Sequence, residues 1–266
     1  TYKDGATVVT VDNTLDAGDY TIVPGVGGLS ATNYTFVPAN GTLTVGKATM
    51  EVTSDGYDEL YDGVAHGLEA EVTGLTGMTI TYSDSATGPF SETSPAYTDA
   101  GTYTVYFKAV DPEGNYSDAT GSAQIIIRKV EVTVTADDRS MTYGDTTTLT
   151  PAEGVTYAGF VNSETSSVVS GTGSITYTYK DGATVVTVDN TLDAGSYAIV
   201  PGVGGLSATN YTFVPANGTL TVEKADMTPT STGYSDTYDG DPHGLTASVT
   251  EVPGAVITYS DSATGT

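Results

Sequence analysis

The sequence predicts an all-β chain made of tandem β-sandwich modules. Three observations carry this: a 177-residue repeat, a shorter spacing pattern nested inside it, and strand-like alternation along almost every segment. Residues 1–89 realign on 178–266, and over the first 45 positions only Asp19/Ser196 and Thr21/Ala198 differ. From residue 46 the copies diverge. Even so, Tyr61-Asp62-Gly63 and His66-Gly67-Leu68 return as Tyr238-Asp239-Gly240 and His243-Gly244-Leu245, and Thr81 to Ser85 returns as Thr258-Tyr259-Ser260-Asp261-Ser262. A long period of this kind marks an array of stacked units.

The nested pattern is built on a turn. Asp99-Ala100-Gly101-Thr102-Tyr103 returns as Asp16-Ala17-Gly18-Asp19-Tyr20 and as Asp193-Ala194-Gly195-Ser196-Tyr197. Asp and Gly supply turn conformations, and the aromatic and β-branched residues that follow suit a half-buried pleated strand. In immunoglobulin-like sandwiches an Asp-x-Gly-x-Tyr pattern turns the ring inward and sends its hydroxyl back to nearby backbone. Asp16, Gly18 and Tyr20, Asp99, Gly101 and Tyr103, and Asp193, Gly195 and Tyr197 are therefore the expected structural motif. After each turn comes an Asn-Tyr pair: Asn33-Tyr34, Asn115-Tyr116, Asn210-Tyr211. Fourteen residues after each Asn stands a Lys (Lys47, Lys129, Lys224), and fourteen further on a Tyr opens a turn (Tyr61, Tyr143, Tyr238). These spacings divide the chain at 1–47, 48–129, 130–224 and 225–266. The two complete modules, 82 and 95 residues long, together make the period. Residues 1–47 read as the second half of a long module and 225–266 as the opening of a short one, so the chain is expected to be a window on a longer array.

Taken in order, Ala6 to Val11 is a β-branched run after the turn Lys3-Asp4-Gly5. Tyr34 and Phe36 share one strand face, Pro38 to Gly41 interrupt it, and Leu43 and Val45 resume. Leu68, Ala70 and Val72 alternate, as do Met78, Ile80 and Tyr82. Tyr103, Val105, Phe107 and Ala109 alternate against outward Thr104, Tyr106 and Lys108. The run Gln124 to Ile127 continues through Arg128-Lys129 into Val130, Val132 and Val134, which makes the junction short and stiff. Ile175 to Tyr179, the turn Lys180-Asp181-Gly182 and Ala183 to Val188 read as a hairpin. Only residues 162–169 suggest a short helix, capped by Asn162 or Ser163 and ended by Gly171. A helix there crossing a sheet would make the long module a β-grasp fold, the alternative for that module.

The net charge is −25, from 33 acidic and 8 basic residues scattered along the chain. Nucleic acid and anionic membranes are poor partners for such a surface. No apolar run approaches the ~20 residues of a membrane-spanning helix, so no direct membrane insertion is expected of this segment. Cysteine is absent, which removes disulfides and thiolate metal sites.

These motifs, in this order, resemble the YDG-type and MBG (YGX-type) tandem repeats of bacterial cell-surface proteins. Residues 48–129 resemble the first through Tyr61-Asp62-Gly63-x-x-His66, Thr81-Tyr82-Ser83 and Asp99 to Val105. Residues 130–224 resemble the second through Val132 to Ala136, Tyr143-Gly144-Asp145, Asn210-Tyr211-Thr212 and Gly218 to Val222. The resemblance implies immunoglobulin-like sandwiches in an elongated array. It also implies an extracellular place on the bacterial surface, within large adhesins or fibrous proteins whose repeats act mostly as stalk, and no catalytic residues.

The chemistry-bearing residues agree with a non-enzyme. His66 and His243 stand 177 residues apart with no second His or Cys beside either, whereas zinc needs about four converging ligands, so a turn or packing role is preferred. Asp137 with Asp138 and Asp239 with Asp241 are the candidate Ca²⁺ ligands, set against ordinary turn punctuation. No other cofactor is expected. Lys47, Lys129 and Lys224 read as exposed junction residues. Asn33, Asn40, Asn115, Asn210 and Asn217 begin Asn-x-Ser/Thr sequons, and turn formation is their preferred role. The expected function is a structural stalk or fibre repeat, projecting or linking as a semi-rigid rod. Its partners are neighbouring modules of the same long chain or of identical chains. One alternative is a self-assembling filament subunit whose end half-modules are completed by neighbours. The other is an adhesin module that binds mucin or other host or matrix glycans.

Overall fold

A computed structural model describes residues 1–145, 154–249, 252 and 254–260; Asp261 and Ser262 of the repeated motif lie outside them. The chain divides into two units, Thr1–Thr133 with Tyr157–Gly171 and Leu206–Val214, and Val134–Thr156 with Thr172–Gly205 and Pro215–Thr266.

In the first unit, β1 (Tyr2–Asp4), β2 (Thr7–Val9), β3 (Gly18–Ile22) and β4 (Gly41–Val45) form a sheet in the order β2-β1-β3-β4. All its pairs are antiparallel, with Tyr20 opposite Leu43. A second sheet is built from β5 (Tyr57–Leu60), β6 (Thr79–Ser83), β7 (Gly101–Val110) and β8 (Ala119–Arg128), in the order β6-β7-β8-β5. Its β8–β5 pair is parallel and the others are antiparallel. The period-2 alternation of strands decides its buried face: Val105, Phe107 and Ala109 on β7, with Ile125 and Ile127 on β8, are buried. Tyr61, Leu68, Val132 and Tyr211 complete that core. Beyond it lies the short antiparallel pair Val52–Thr53 with Glu71–Val72, and Met50, Val72 and Ala109 form a smaller buried cluster. This is a two-layer, all-β arrangement with its core between the layers.

Next come β9 (Val130–Ala136), β10 (Arg139–Thr142), β11 (Val155–Ala158), β12 (Thr176–Asp181), β13 (Thr184–Val186), β14 (Gly195–Gly202), β15 (Tyr211–Ala216) and β16 (Gly218–Glu223). A three-stranded sheet has the order β11-β9-β15, and the second unit's five-stranded sheet the order β10-β16-β14-β12-β13. Its core is Ala136, Met141, Tyr197, Ile199, Leu220 and Val222. Gly182, at φ +56°, turns the β12–β13 hairpin, a conformation glycine adopts without steric cost.

Two expectations are corrected. Residues 162–169 do not form an α-helix: Thr165 caps a single 3₁₀ turn, Ser166–Val168, and Asn162 and Ser163 take left-handed backbone angles (φ 52° and 60°) that no right-handed helix can include. The described residues contain no α-helix, so among them nothing crosses a sheet as the β-grasp alternative for the long module requires. The second correction concerns Tyr34 and Phe36. The same sequence is strand β15 at 211–216, in a sheet with β9, but is not strand at 34–39, where no described strand lies alongside. Tyr34 is 79% exposed and Tyr211 2%. A strand needs a neighbour for its backbone groups, and propensity alone does not supply one.

The near-identical segments 1–45 and 178–222 thus serve as an internal control. The hairpin sheet forms in both with the same register, Tyr20 opposite Leu43 and Tyr197 opposite Leu220. But β16 carries β10 on its far edge, in parallel, whereas β4 ends its sheet. Leu220 is fully buried and Leu43 only half-buried. Leu220→Ala is expected to cost about 2–5 kcal/mol of unfolding free energy, and Leu43→Ala less than about half of that. Urea unfolding of the two variants measures the difference.

Candidate functional site: the junction clasp

The same side-chain device occurs twice, each time on a copy of the Asp-Ala-Gly turn. Asn115 accepts the Ala17 N–H at Oδ1 (2.7 Å) and donates from Nδ2 to the Asp16 carboxylate (2.9 Å). Asn210 does the same to the next copy of the turn: it accepts the Ala100 N–H (2.8 Å) and donates to Asp99 (3.0 Å). An amide suits the task because it carries a donor and an acceptor side by side; a carboxylate has no donor to offer Asp16 or Asp99. The backbone fixes the amide's position. The carbonyl of Asn115 accepts the Ala48 N–H, and that of Asn210 accepts the Val130 N–H, both at 2.9 Å. Each Asn is therefore held through its own carbonyl, by Ala48 or Val130, while its side chain grips an earlier copy of the turn.

The turn offers these groups because of its tyrosine. Tyr20 donates to the Asp16 carbonyl (2.7 Å), Tyr103 to that of Asp99 (3.0 Å) and Tyr197 to that of Asp193 (2.8 Å). That bond takes up the Asp carbonyl and leaves the Asp carboxylate and the Ala N–H for an outside partner. With one hydrogen bond to a charged group and one between neutral groups, a clasp contributes on the order of 2 kcal/mol.

The loop that presents Asn115 is ordered by Asp111, a buried residue that neither motif nor spacing had marked. Its Oδ1 accepts the Glu113 N–H (2.9 Å), and its Oδ2 accepts those of Asn115 (2.6 Å) and Tyr116 (3.0 Å). Burial works to raise its pKa, but the N–H groups of Glu113, Tyr116, Asn115 and Gly114 outweigh it and hold the carboxyl below the usual range. An Asp ahead of a Pro-x-Gly turn was the available signal.

At the second clasp a further lock is added. Glu164 accepts hydrogen bonds from the hydroxyls of both Tyr61 (2.8 Å) and Tyr211. Burial, followed by the bond to Glu164, pushes the Tyr211 hydroxyl up to about 12, and the Glu164 bond also raises Tyr61. Both hydroxyls therefore keep their protons at physiological pH. The rings of Tyr61 and Tyr211 meet edge to face at 5.7 Å, and the Asn162 side chain fits over Gly63, where an added Cβ would come to 2.6 Å from Nδ2. Lys129 donates to the Ala208 carbonyl (2.8 Å) from an exposed position.

The remaining candidates are held by local partners. His66 bonds Asp62 (2.9 Å) and stacks on Tyr57, and His243 bonds Asp239 (2.8 Å) and stacks on Tyr234. The His66 bond and the Val64 N–H lower the pKa of Asp62; the Asp241 N–H and then His243 lower that of Asp239. Among the Ca²⁺ candidates, Asp138 accepts the Thr219 N–H and Asp137 donates its own N–H to the Gly154 carbonyl. Asp239 accepts from Asp241 and His243. Among the described residues no three carboxylates or imidazoles converge as a metal site. The Nδ2 atoms of Asn115 and Asn210, where a sequon would carry its glycan, are the clasp donors.

Residues 132–221 match the family model of the MBG domain (YGX type). No curated protein matches the chain. Among solved structures the chain is similar to Sidekick-1 immunoglobulin domains 1–5, at 13% identity and a TM-score of 0.27, over 84% of this chain and 52% of that one. It is also similar to the four N-terminal Ig domains of Dscam1 isoform 4.44 (7%, 0.24, 71% and 52%) and to extracellular cadherin domains 1–4 of protocadherin gamma B7 (13%, 0.25, 77% and 60%). The chain spans about half the length of the first of these. At such scores the likenesses carry no argument, and the all-β architecture rests on the strands and registers themselves.

Asp111→Ala is expected to loosen the Asn115 loop and lower stability at pH 7. Because the folded carboxyl titrates below its unfolded value of about 3.9, its contribution is complete above that pH and is lost as pH falls through the folded pKa. The stability gap between wild type and variant should thus close with acidification below about pH 4, as read by urea unfolding across pH.

Proposed function

We propose that this chain is a stalk or fibre segment of a large bacterial extracellular surface protein, serving mechanical continuity and no catalysis. The observation that carries the reading is the clasp made twice, by Asn115 and by Asn210, on two copies of one turn. A module that acted alone would have no use for an amide reaching its predecessor at each repeat. The match of residues 132–221 to the MBG domain (YGX type) supports the reading, as does the likeness of residues 48–129 to YDG-type repeats. The surplus of negative charge would keep neighbouring stalks apart. No described helix is long and apolar enough to cross a membrane. In this reading the partners of each module are the modules before and after it.

The test is a chain carrying both Asn115→Ala and Asn210→Ala. Each clasp is worth enough to raise the open population several-fold, so cleavage by a broad protease at residues 45–48 and 128–130 should rise about fivefold or more. The near-UV signal of the buried tyrosines should stay. Cleavage at the wild-type rate would remove the reading's main support.

A further inference from the structure

Residues 160–170 form a loop that is tied down at both ends. Ser170 and Ser207 exchange two backbone hydrogen bonds (2.8 and 3.0 Å). At the other end the Tyr211 hydroxyl accepts the Val161 N–H (3.3 Å), and its ring meets Phe160 edge to face at 5.1 Å. Between these anchors the loop presents two groups to the turn Tyr61-Asp62-Gly63. The Glu164 carboxylate accepts the Tyr61 hydroxyl (2.8 Å), and the Asn162 side chain covers Gly63. The three atoms nearest to a Cβ added at Gly63 all belong to the Asn162 side chain, at 2.6 to 2.9 Å.

The turn keeps its shape by its own bonds. Asp62 accepts the Val64 N–H (2.8 Å) and bonds His66, which stacks on Tyr57, and the Tyr61 N–H bonds the Arg128 carbonyl (2.8 Å). The repeated turn Tyr238-Asp239-Gly240 has the same bond from Asp239 to His243 and the same stack of His243 on Tyr234. Its glycine is left-handed as well, at φ +87° against +79° for Gly63, and nothing lies within 4 Å of a Cβ added there. A turn with one shape, covered or bare, is preorganised, and laying a loop on it costs little further ordering. The sequence supplies a contrast. Tyr143-Gly144-Asp145 stands in 130–224 where Tyr61-Asp62-Gly63 stands in 48–129, and its third residue is Asp instead of Gly. The loop also belongs to one variant: Asp99 follows Tyr61 by 38 positions, Asp193 follows Tyr143 by 50, and residues 160–170 lie in the longer interval.

We propose that Tyr61-Asp62-Gly63 is a recognition surface whose partner is the Asn-x-Glu loop of the repeat that follows, and that this pair sets the order of repeats. A repeat of the 48–129 type takes one of the 130–224 type after it, because that type brings the loop. A repeat of the 130–224 type rejects another of its own kind, because Asp145 puts a side chain where Asn162 must lie. The clasp makes no such choice, since both types carry the Asp-Ala turn and the Asn-Tyr pair. The order rule rests on the stalk reading's division into successive repeats; the contact of loop and turn stands on its own geometry.

The experiment is hydrogen–deuterium exchange on the 266-residue chain, read by mass spectrometry on peptides spanning residues 160–170. Gly63→Ala should speed exchange there about tenfold or more. Gly63→Asp, which gives the turn the third residue of Tyr143-Gly144-Asp145, should speed it at least as much. Gly240→Ala, at a glycine of the same handedness that nothing covers, should leave that peptide at the wild-type rate. Adding Asn162→Gly to Gly63→Ala should return exchange to within about twofold of Asn162→Gly alone, because the new methyl then meets an emptied space. Tyr61→Phe, which removes only a hydroxyl, should speed the same peptide about fivefold, and Tyr238→Phe should not. None of these readouts is cleavage at 45–48 or 128–130, so the stalk reading and this contact fail separately. Gly63→Ala, Gly63→Asp or Tyr61→Phe exchanging at the wild-type rate, or a double variant as fast as Gly63→Ala, would overturn the proposal.

Discussion

The junctions depend on a division of labour at one aspartate. In the Asp-Ala-Gly-x-Tyr turn the tyrosine hydroxyl occupies the Asp carbonyl, and that bond is internal to the module. The Asp carboxylate and the next N–H are then aimed outward in a fixed spacing that a single amide can bridge. The bond that closes the turn's own corner thus also prepares the groups that a distant asparagine holds. Without the ring in place, the two outward groups would have no defined separation, and the amide would gain little by reaching for them.

The hydrophobic contribution is arranged around this polar contact. The first unit's main cluster gathers Val105, Phe107, Ile125 and Ile127 from one sheet together with Val132 and Tyr211 from beyond residue 129. Apolar burial is non-directional, so it holds the parts together without fixing their angle. The directional groups, Asn210 on Asp99 and Ala100 and Glu164 between two tyrosines, select one arrangement. A chain without cysteine must obtain that selection from hydrogen bonds.

The local parts of this design were legible in the sequence, and the distant parts were not. The reach from Tyr103 to the carbonyl of Asp99 spans four residues, and the strand of Val105, Phe107 and Ala109 declares itself by alternation. The partner of Ala100 lies 110 residues away at Asn210, and only a fixed recurrence after each turn points to it; the residue itself suggests a turn or a sequon. Glu164 carried no pattern, since a carboxylate between two hydroxyls leaves no periodic trace. Residues 162–169 mislead because polar residues that cap helices also serve in loops, and here Asn162, set against Gly63, and Ser163 take left-handed angles. Tyr34 shows the same limit from the other side, since its environment depends on a neighbour that its own sequence does not specify.

The clasp also gives each junction a chemical lifetime. An asparagine amide slowly loses ammonia in water, and at Asn115 or Asn210 that reaction would replace the Nδ2 donor with a second carboxylate facing Asp16 or Asp99. Two like charges at hydrogen-bonding distance disfavour each other and would push one pKa sharply upward. An aged copy would then carry repulsion where a young one carries a grip, between residues about a hundred positions apart in sequence.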